Sequence, residues 1–202
     1  MILHYVHDPM CSWCWGYRPA WERLKSCLPD VVKLNNVLGG LAPDNPDPMP
    51  VELQAQIQGH WRRIREMLGT EFNFDFWKRC QPRRSTYPAC RAVLAAAIQD
   101  REEDMILAIQ RAYYLRAMNP SDDETLVQLT GELGLNTGAF EAGLNAAGTH
   151  DELMRQVRKA RQWRVPGFPS LVLEVDDSHH HVAVDYRDHR ITLETIRQFT
   201  GG

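Results

Sequence analysis

The stretch Asp8-Pro9-Met10-Cys11-Ser12-Trp13-Cys14-Trp15-Gly16 decides how the rest of the chain is read. Its C-x-x-C pair follows directly on a short apolar segment, Ile2-Leu3-His4-Tyr5-Val6. A strand that ends in C-x-x-C and runs into a helix is the layout of a thiol–disulfide redox centre. Two cysteines three positions apart on a helix share one face and fall within disulfide range. The first sits among unpaired backbone N–H groups at the positive end of the helix dipole, where a thiolate is favoured. The thiolate is the form that attacks a disulfide. This places Cys11 as the exposed member and Cys14 one turn deeper. Asp8 reads as a turn residue ahead of Pro9, although it is close enough in sequence to act as a proton relay.

Outward from the motif, apolar residues Tyr17, Trp21, Leu24 and Leu28 recur near helical spacing, predicting a helix from Cys11 to about Leu28. Pro19 should bend it, and Pro29-Asp30 ends it. Val31 to Leu38 reads as a second strand, stopped by Gly39-Gly40. Residues 43–50, Pro-Asp-Asn-Pro-Asp-Pro-Met-Pro, exclude regular structure.

From about 51 to 163 the periodicity is helical. Ile57, Trp61, Ile64 and Leu68 form one stripe, and further helices are predicted over about 87–99 and 102–117. The S/T-x-x-E patterns at Ser121–Glu124 and Thr149–Glu152 predict helix starts, and Gly134 and Gly148 predict helix ends. After Arg164 the pattern changes back. Ser170–Val175 reads as a strand, Asp176-Asp177-Ser178 as a turn, and His181–Tyr186 as a returning strand. Thr192 to Phe199 reads as a closing helix capped by Thr192. The order βαβ, helical block, ββα predicts an α/β fold. Residues 1–42 and 164–202 would form one discontinuous domain and 43–163 a helical insertion.

The chain has 202 residues, with 44% hydrophobic and 24% charged residues and a formal charge of −3. That balance gives no electrostatic case for nucleic acid or an anionic membrane as partner. No membrane-spanning run and no basic or apolar leader are evident, so the expected compartment is cytoplasmic. Five cysteines at irregular spacing argue against a secreted disulfide scaffold. A C-x-x-C pair in a reducing compartment is catalytic or metal-binding rather than structural.

One more element stands before the third strand: Val165-Pro166-Gly167-Phe168-Pro169-Ser170. With it, the whole chain resembles the DsbA-like branch of the thioredoxin superfamily. Asp8 to Gly16 is similar to the signature of a cytosolic bacterial group of predicted protein-disulfide isomerases. That group is related to FrnE-type oxidoreductases and 2-hydroxychromene-2-carboxylate isomerases.

The resemblance implies a thioredoxin-like fold with a helical insertion, and an enzyme that exchanges disulfides. It implies Cys11 as nucleophile, Cys14 as resolving thiol and Pro169 as a cis-proline facing them. Phe168 would offer backbone groups to a substrate strand. No cofactor beyond a Cys11–Cys14 disulfide is implied; glutathione is a candidate co-substrate, and protein or small-molecule thiols and disulfides are the partners. DsbA carries histidine immediately before its second cysteine. Trp13 stands there in this chain, so DsbA's strongly oxidising poise is not expected.

The residues around the motif complete the reading. Met10 and Trp13 are expected at an apolar substrate-binding lip and Trp21 in the core. Cys27 is expected to be buried. Cys90 reads as a small buried hydrophobe or a third redox thiol. His179-His180-His181 is expected on an exposed hairpin, a poor metal site by itself. His4 and His7 fall on opposite faces of the first strand, His7 nearer the cysteines. Two rival functions remain: a glutathione-dependent isomerase or transferase of the same fold, and a zinc module completed by Cys80, Cys90 or a histidine.

Overall fold

The computed structural model describes residues 1–200. Strand β1 (Ile2–His7) leads to helix α1 (Ser12–Cys27) and strand β2 (Lys33–Leu38). Seven helices follow: α2 (Val51–Leu68), α3 (Phe76–Arg79), α4 (Tyr87–Ala97), α5 (Glu102–Leu115), α6 (Asp123–Glu132), α7 (Thr137–Leu144) and α8 (Ala147–Gln162). The chain closes with β3 (Ser170–Val175), β4 (Ser178–Val182) and α9 (His189–Arg197). The result is a thioredoxin-like α/β fold carrying a helical insertion.

The sheet order is β2-β1-β3-β4, with β1 parallel to β2 and antiparallel to β3. Alternation along β1 explains its place in the middle. Leu3 and Tyr5 face α1 and α9, where Tyr17, Trp21, Leu24, Leu171, Leu173, Leu193 and Ile196 pack with them. Val6 faces the other way, onto Val37, Val172 and Ala160 of α8. Burying each such aliphatic side chain contributes about 1.5–3 kcal/mol. The parallel β1–β2 pair requires a crossover, which α1 supplies.

The inserted helices have their own core around Trp61. Its ring meets Phe72, Trp77, Tyr113 and Tyr114 at centroid distances of 5.1, 5.0, 5.4 and 5.4 Å. Met10 and Leu38 join this same cluster, so the helical block is packed directly onto the end of β1 and β2. At Gly16 a Cβ would lie 2.7 Å from Ile64 Cγ2, and its absence lets α1 approach α2. Among the described residues no helix is long and apolar enough to cross a membrane.

Several sequence expectations are corrected. Ser121 caps nothing: α6 starts at Asp123, and the Ser121 hydroxyl donates to the Ser85 carbonyl at 2.6 Å. Thr149 and Gly148 both lie inside α8, which begins at Ala147. Thr192 is also inside its helix. Asp188 caps α9 by accepting from Arg190 N, while Thr192 Oγ1 donates to Ala183 O at 3.0 Å. For Ser121 and Thr192 the hydroxyl is taken by a tertiary partner instead of a helix terminus. The returning strand begins earlier than its alternation suggests. Asp176 and Asp177, with φ of 46° and 64°, form the whole two-residue turn, so pairing resumes at Ser178. Cys27 is exposed, because it ends α1 on the solvent side.

Candidate active site

Cys11 is the N-cap of α1, in extended conformation with φ −80° and ψ 117°. Its Sγ accepts the Cys14 N–H at 3.3 Å, the position a capping side chain takes. The sulfur also donates to the Phe168 carbonyl at 3.4 Å. The peptide bond from Phe168 to Pro169 is cis. The register Val6↔Ser170 brings the loop before β3 beside the end of β1, and so beside Cys11. Cys11, Cys14, Phe168 and Pro169 are thus one constellation, assembled from the two ends of the chain.

Cys11 is not the exposed thiol expected at a helix start. It is 5% accessible, and it lines a pocket of about 220 Å3 with Met10, Trp13 and Phe168. The burial arises because Phe168 and the inserted helices close over it. Cys14 is fully buried, and burial pushes its thiol well above the usual range, with the Cys11 sulfur adding to the shift. All five cysteines are free thiols in this structure.

Trp13 is half-buried, edge-on to Tyr186 at 5.6 Å, with the Arg63 guanidinium 5.8 Å from its ring centre. Met10 is only 8% accessible and belongs to the helical core, so it is pocket wall more than projecting lip. Trp21 is core, stacked on Tyr5 at 4.3 Å. Trp15 stacks on Tyr114 at 5.6 Å and donates to the Glu71 carbonyl.

Three residues near the cysteines matter more than their sequence context indicates. Asp8 is fully buried and does much more than turn the chain. Oδ1 accepts from Met10 N at 2.8 Å; Oδ2 accepts from Leu41 N at 2.8 Å, Thr86 Oγ1 at 2.6 Å and Cys90 Sγ at 3.5 Å. Burial raises its pKa despite these donors. Trp61 donates from Nε1 to Ser12 Oγ at 3.0 Å, tying α2 to the residue after Cys11. His7 is fully buried, stacked on Tyr5 at 4.7 Å, with both ring nitrogens unpartnered, and burial lowers its pKa to about 4. Asp8, three residues before Cys11, had a sequence signal; Trp61 had none beyond its apolar stripe.

Cys80 and Cys90 each have a partner of their own outside the C-x-x-C pair. Cys80 donates to Ala117 O at 3.1 Å, and Cys90 is fully buried against Asp8. His179 reaches Glu174 at 3.4 Å, which also accepts from His4 at 2.9 Å. Among the described residues no three His, Cys, Asp or Glu side chains come together as a metal-holding group.

The family model of the DSBA-like thioredoxin domain matches residues 2–188. The chain belongs to this family. This DsbA-like chain is similar to a proposed protein disulfide isomerase from Nitrosomonas europaea, with a TM-score of 0.87 and 26% identity over 99% of this chain and 97% of that one. Cytosolic disulfide reductase DsbM from Pseudomonas aeruginosa gives a TM-score of 0.82 at 24% identity over 100% of both chains. The same reductase with GSH gives 0.79 at 25% identity, over 98% of this chain and 100% of that one. A 2-hydroxychromene-2-carboxylate isomerase shares the fold, at a TM-score of 0.65 and 13% identity over 100% of this chain and 95% of that one. No curated protein sequence matches that of this DsbA-like chain.

Proposed function

We propose that this protein is a thiol–disulfide oxidoreductase that exchanges disulfides through Cys11 and Cys14. The observation that carries the reading is the environment of one atom. Cys11 Sγ caps α1, receives the Cys14 N–H and lies 3.4 Å from the Phe168 carbonyl, at the wall of a pocket. In the proposed reaction the Cys11 thiolate attacks a substrate disulfide and forms a mixed disulfide. Cys14 then attacks Cys11 and releases the substrate as a thiol. Phe168 offers backbone groups to the substrate, with Pro169 beside it; Trp13 and Met10 supply apolar contact.

The cysteine pair is the only redox group required, with glutathione as co-substrate. Two relatives support disulfide exchange, the Nitrosomonas europaea protein, described as a proposed protein disulfide isomerase, and the disulfide reductase DsbM; DsbM solved with GSH supports glutathione. The description of DsbM as cytosolic supports a cytoplasmic setting. Retention of both Cys11 and Cys14 favours exchange over the isomerase reading, which requires no resolving thiol.

Insulin reduction with glutathione as reductant, and reactivation of scrambled ribonuclease, test the proposal. The wild type is expected to accelerate at least one of them, and Cys11→Ser to lose the effect by at least about a hundredfold. Equal rates in the mutant would refute exchange at this site.

A further inference from the structure

The pocket beside Cys11 carries a charge that disulfide exchange by itself does not require. Its lining includes His60, Arg83 and Arg84 and no carboxylate. Arg83 is already committed: it donates to the Ser121 carbonyl at 2.5 Å and pairs with Asp122 at 2.6 Å. Arg84 is half-buried and, among the described residues, makes no hydrogen bond or ion pair. Asp8 lies nearby, bonded to Thr86 of the pocket wall, but it is fully buried and its carboxylate already accepts from four donors.

A guanidinium presents a planar fork of donors that matches a carboxylate two bonds at a time. Half-removed from water and without a partner, it concentrates anions in the pocket. The space, about 220 Å3, fits one arm of a small disulfide.

We infer that Arg84 is the specificity residue of this pocket and that its substrate is a small disulfide bearing a carboxylate. The inference rests on the exchange reading and deepens it. The Cys11 thiolate attacks one sulfur of the substrate; the S–S bond breaks, and the departing thiolate takes a proton from solvent. The other arm stays on Cys11 as a mixed disulfide, its carboxylate on Arg84. Cys14 then gives up its proton, bonds to Cys11 and releases the second arm as thiol. Two electrons pass from the dithiol to the substrate. Two equivalents of a small monothiol return the enzyme pair to the dithiol and are themselves joined as a disulfide.

Full-length protein is assayed with 1-thioglycerol as the reducing monothiol and, as oxidant, glutathione disulfide, which is anionic, bis(2-hydroxyethyl) disulfide, which is neutral, or cystamine, which is cationic. Wild type is expected to favour the anionic over the neutral substrate in kcat/KM by about tenfold, mainly through KM. Arg84→Gln should bring that ratio close to one, and Arg84→Lys should keep part of it. Added salt should weaken the wild-type preference.

An unchanged ratio in Arg84→Gln overturns the inference. So does insulin reduced faster per disulfide than any small substrate and with the same rate in both proteins. Absence of turnover with every disulfide refutes the exchange reading instead. Calorimetric binding of glutathione disulfide then decides on Arg84 alone, equal affinities of wild type and Arg84→Gln overturning its role.

Discussion

Cys11 Sγ lies 3.4 Å from the carbonyl oxygen of Phe168, a residue 157 positions further along the chain. The contact exists because β3 lies antiparallel beside β1, so the loop entering β3 meets the loop leaving β1. The site is thereby built on the middle of the sheet, its most buried part. Side chains from the inserted helices supply the rest of the pocket, with Trp61 bonded to Ser12.

Gly39 sets the position of Phe168. A Cβ there would fall 2.0 Å from Phe168 Cζ and 2.1 Å from Cε1, with the Gly39 N–H fixed on the His7 carbonyl at 2.7 Å. Gly39→Ala must therefore push the ring away and shift the carbonyl that faces Cys11. The expected result is a loss of about 1–3 kcal/mol in urea unfolding and a fall of about tenfold in insulin reduction. Unchanged values of both would show that the ring relaxes without disturbing the site.

His7 makes stability depend on pH in a defined window. Its folded pKa is about 4, below the ordinary 6.5, because burial disfavours the charged ring. Between these values the unfolded chain binds the proton and the folded one does not. Stability is thus full above pH 6.5 and declines as pH falls toward 4, by roughly 3 kcal/mol in all. Asp8 acts in the opposite sense, since its folded pKa is raised by burial and protonation relieves that cost. Comparing wild type with His7→Leu isolates the histidine: denaturant midpoints at pH 7 and pH 4.5 should differ less in the variant.

Asp8→Ala removes the acceptor for Met10 N, Leu41 N and Thr86 Oγ1 at once. Leaving buried donors unpaired is expected to lower stability by about 2–4 kcal/mol. Asp8→Asn keeps one acceptor oxygen and should recover about half of that loss. The Asp8 backbone carbonyl, which accepts from Cys11 N at 3.0 Å, survives the substitution, but the carboxylate that anchors this turn to Leu41 and Thr86 is lost. The alanine variant should therefore also exchange disulfides more slowly under conditions where it stays folded. Circular dichroism with urea, run beside the insulin assay, separates the two effects.

Cys27 should be the thiol outside the active site that alkylates first. It is exposed, with Sγ 3.9 Å from His189 Nε2, whereas Cys90 is fully buried and bonded to Asp8. Peptide mapping after brief iodoacetamide treatment should find Cys27 modified and Cys90 untouched. Burial raises the Cys90 thiol pKa well above its usual range, so it should react only on unfolding.

Much of the fold was legible in the chain itself. The short apolar runs at Ile2–Val6 and Ser170–Val175, the helical stripe through Trp61 and the stops at Gly39-Gly40 and 43–50 all rest on interactions within a few residues. The pairing of C-x-x-C with a strand and a helix is local in the same way. Capping was misread where a hydroxyl had a distant alternative: Ser121 turns to Ser85, and Thr192 to Ala183. The S/T-x-x-E pattern records which groups are able to cap, and tertiary partners decide whether they do.

What the sequence alone determined was the order of elements and the chemistry available at residues 8 to 16, because periodicity and turn residues act over short distances. Only tertiary packing decided that Cys11 is covered, that Cys27 is exposed, that Asp8 gathers four donors and that Arg84 stands unpaired in the pocket that Cys11 lines. Burial and charge pairing depend on which distant segments arrive beside a residue. That arrival is fixed by the sheet register and by seven inserted helices closing on its end, which no local pattern encodes.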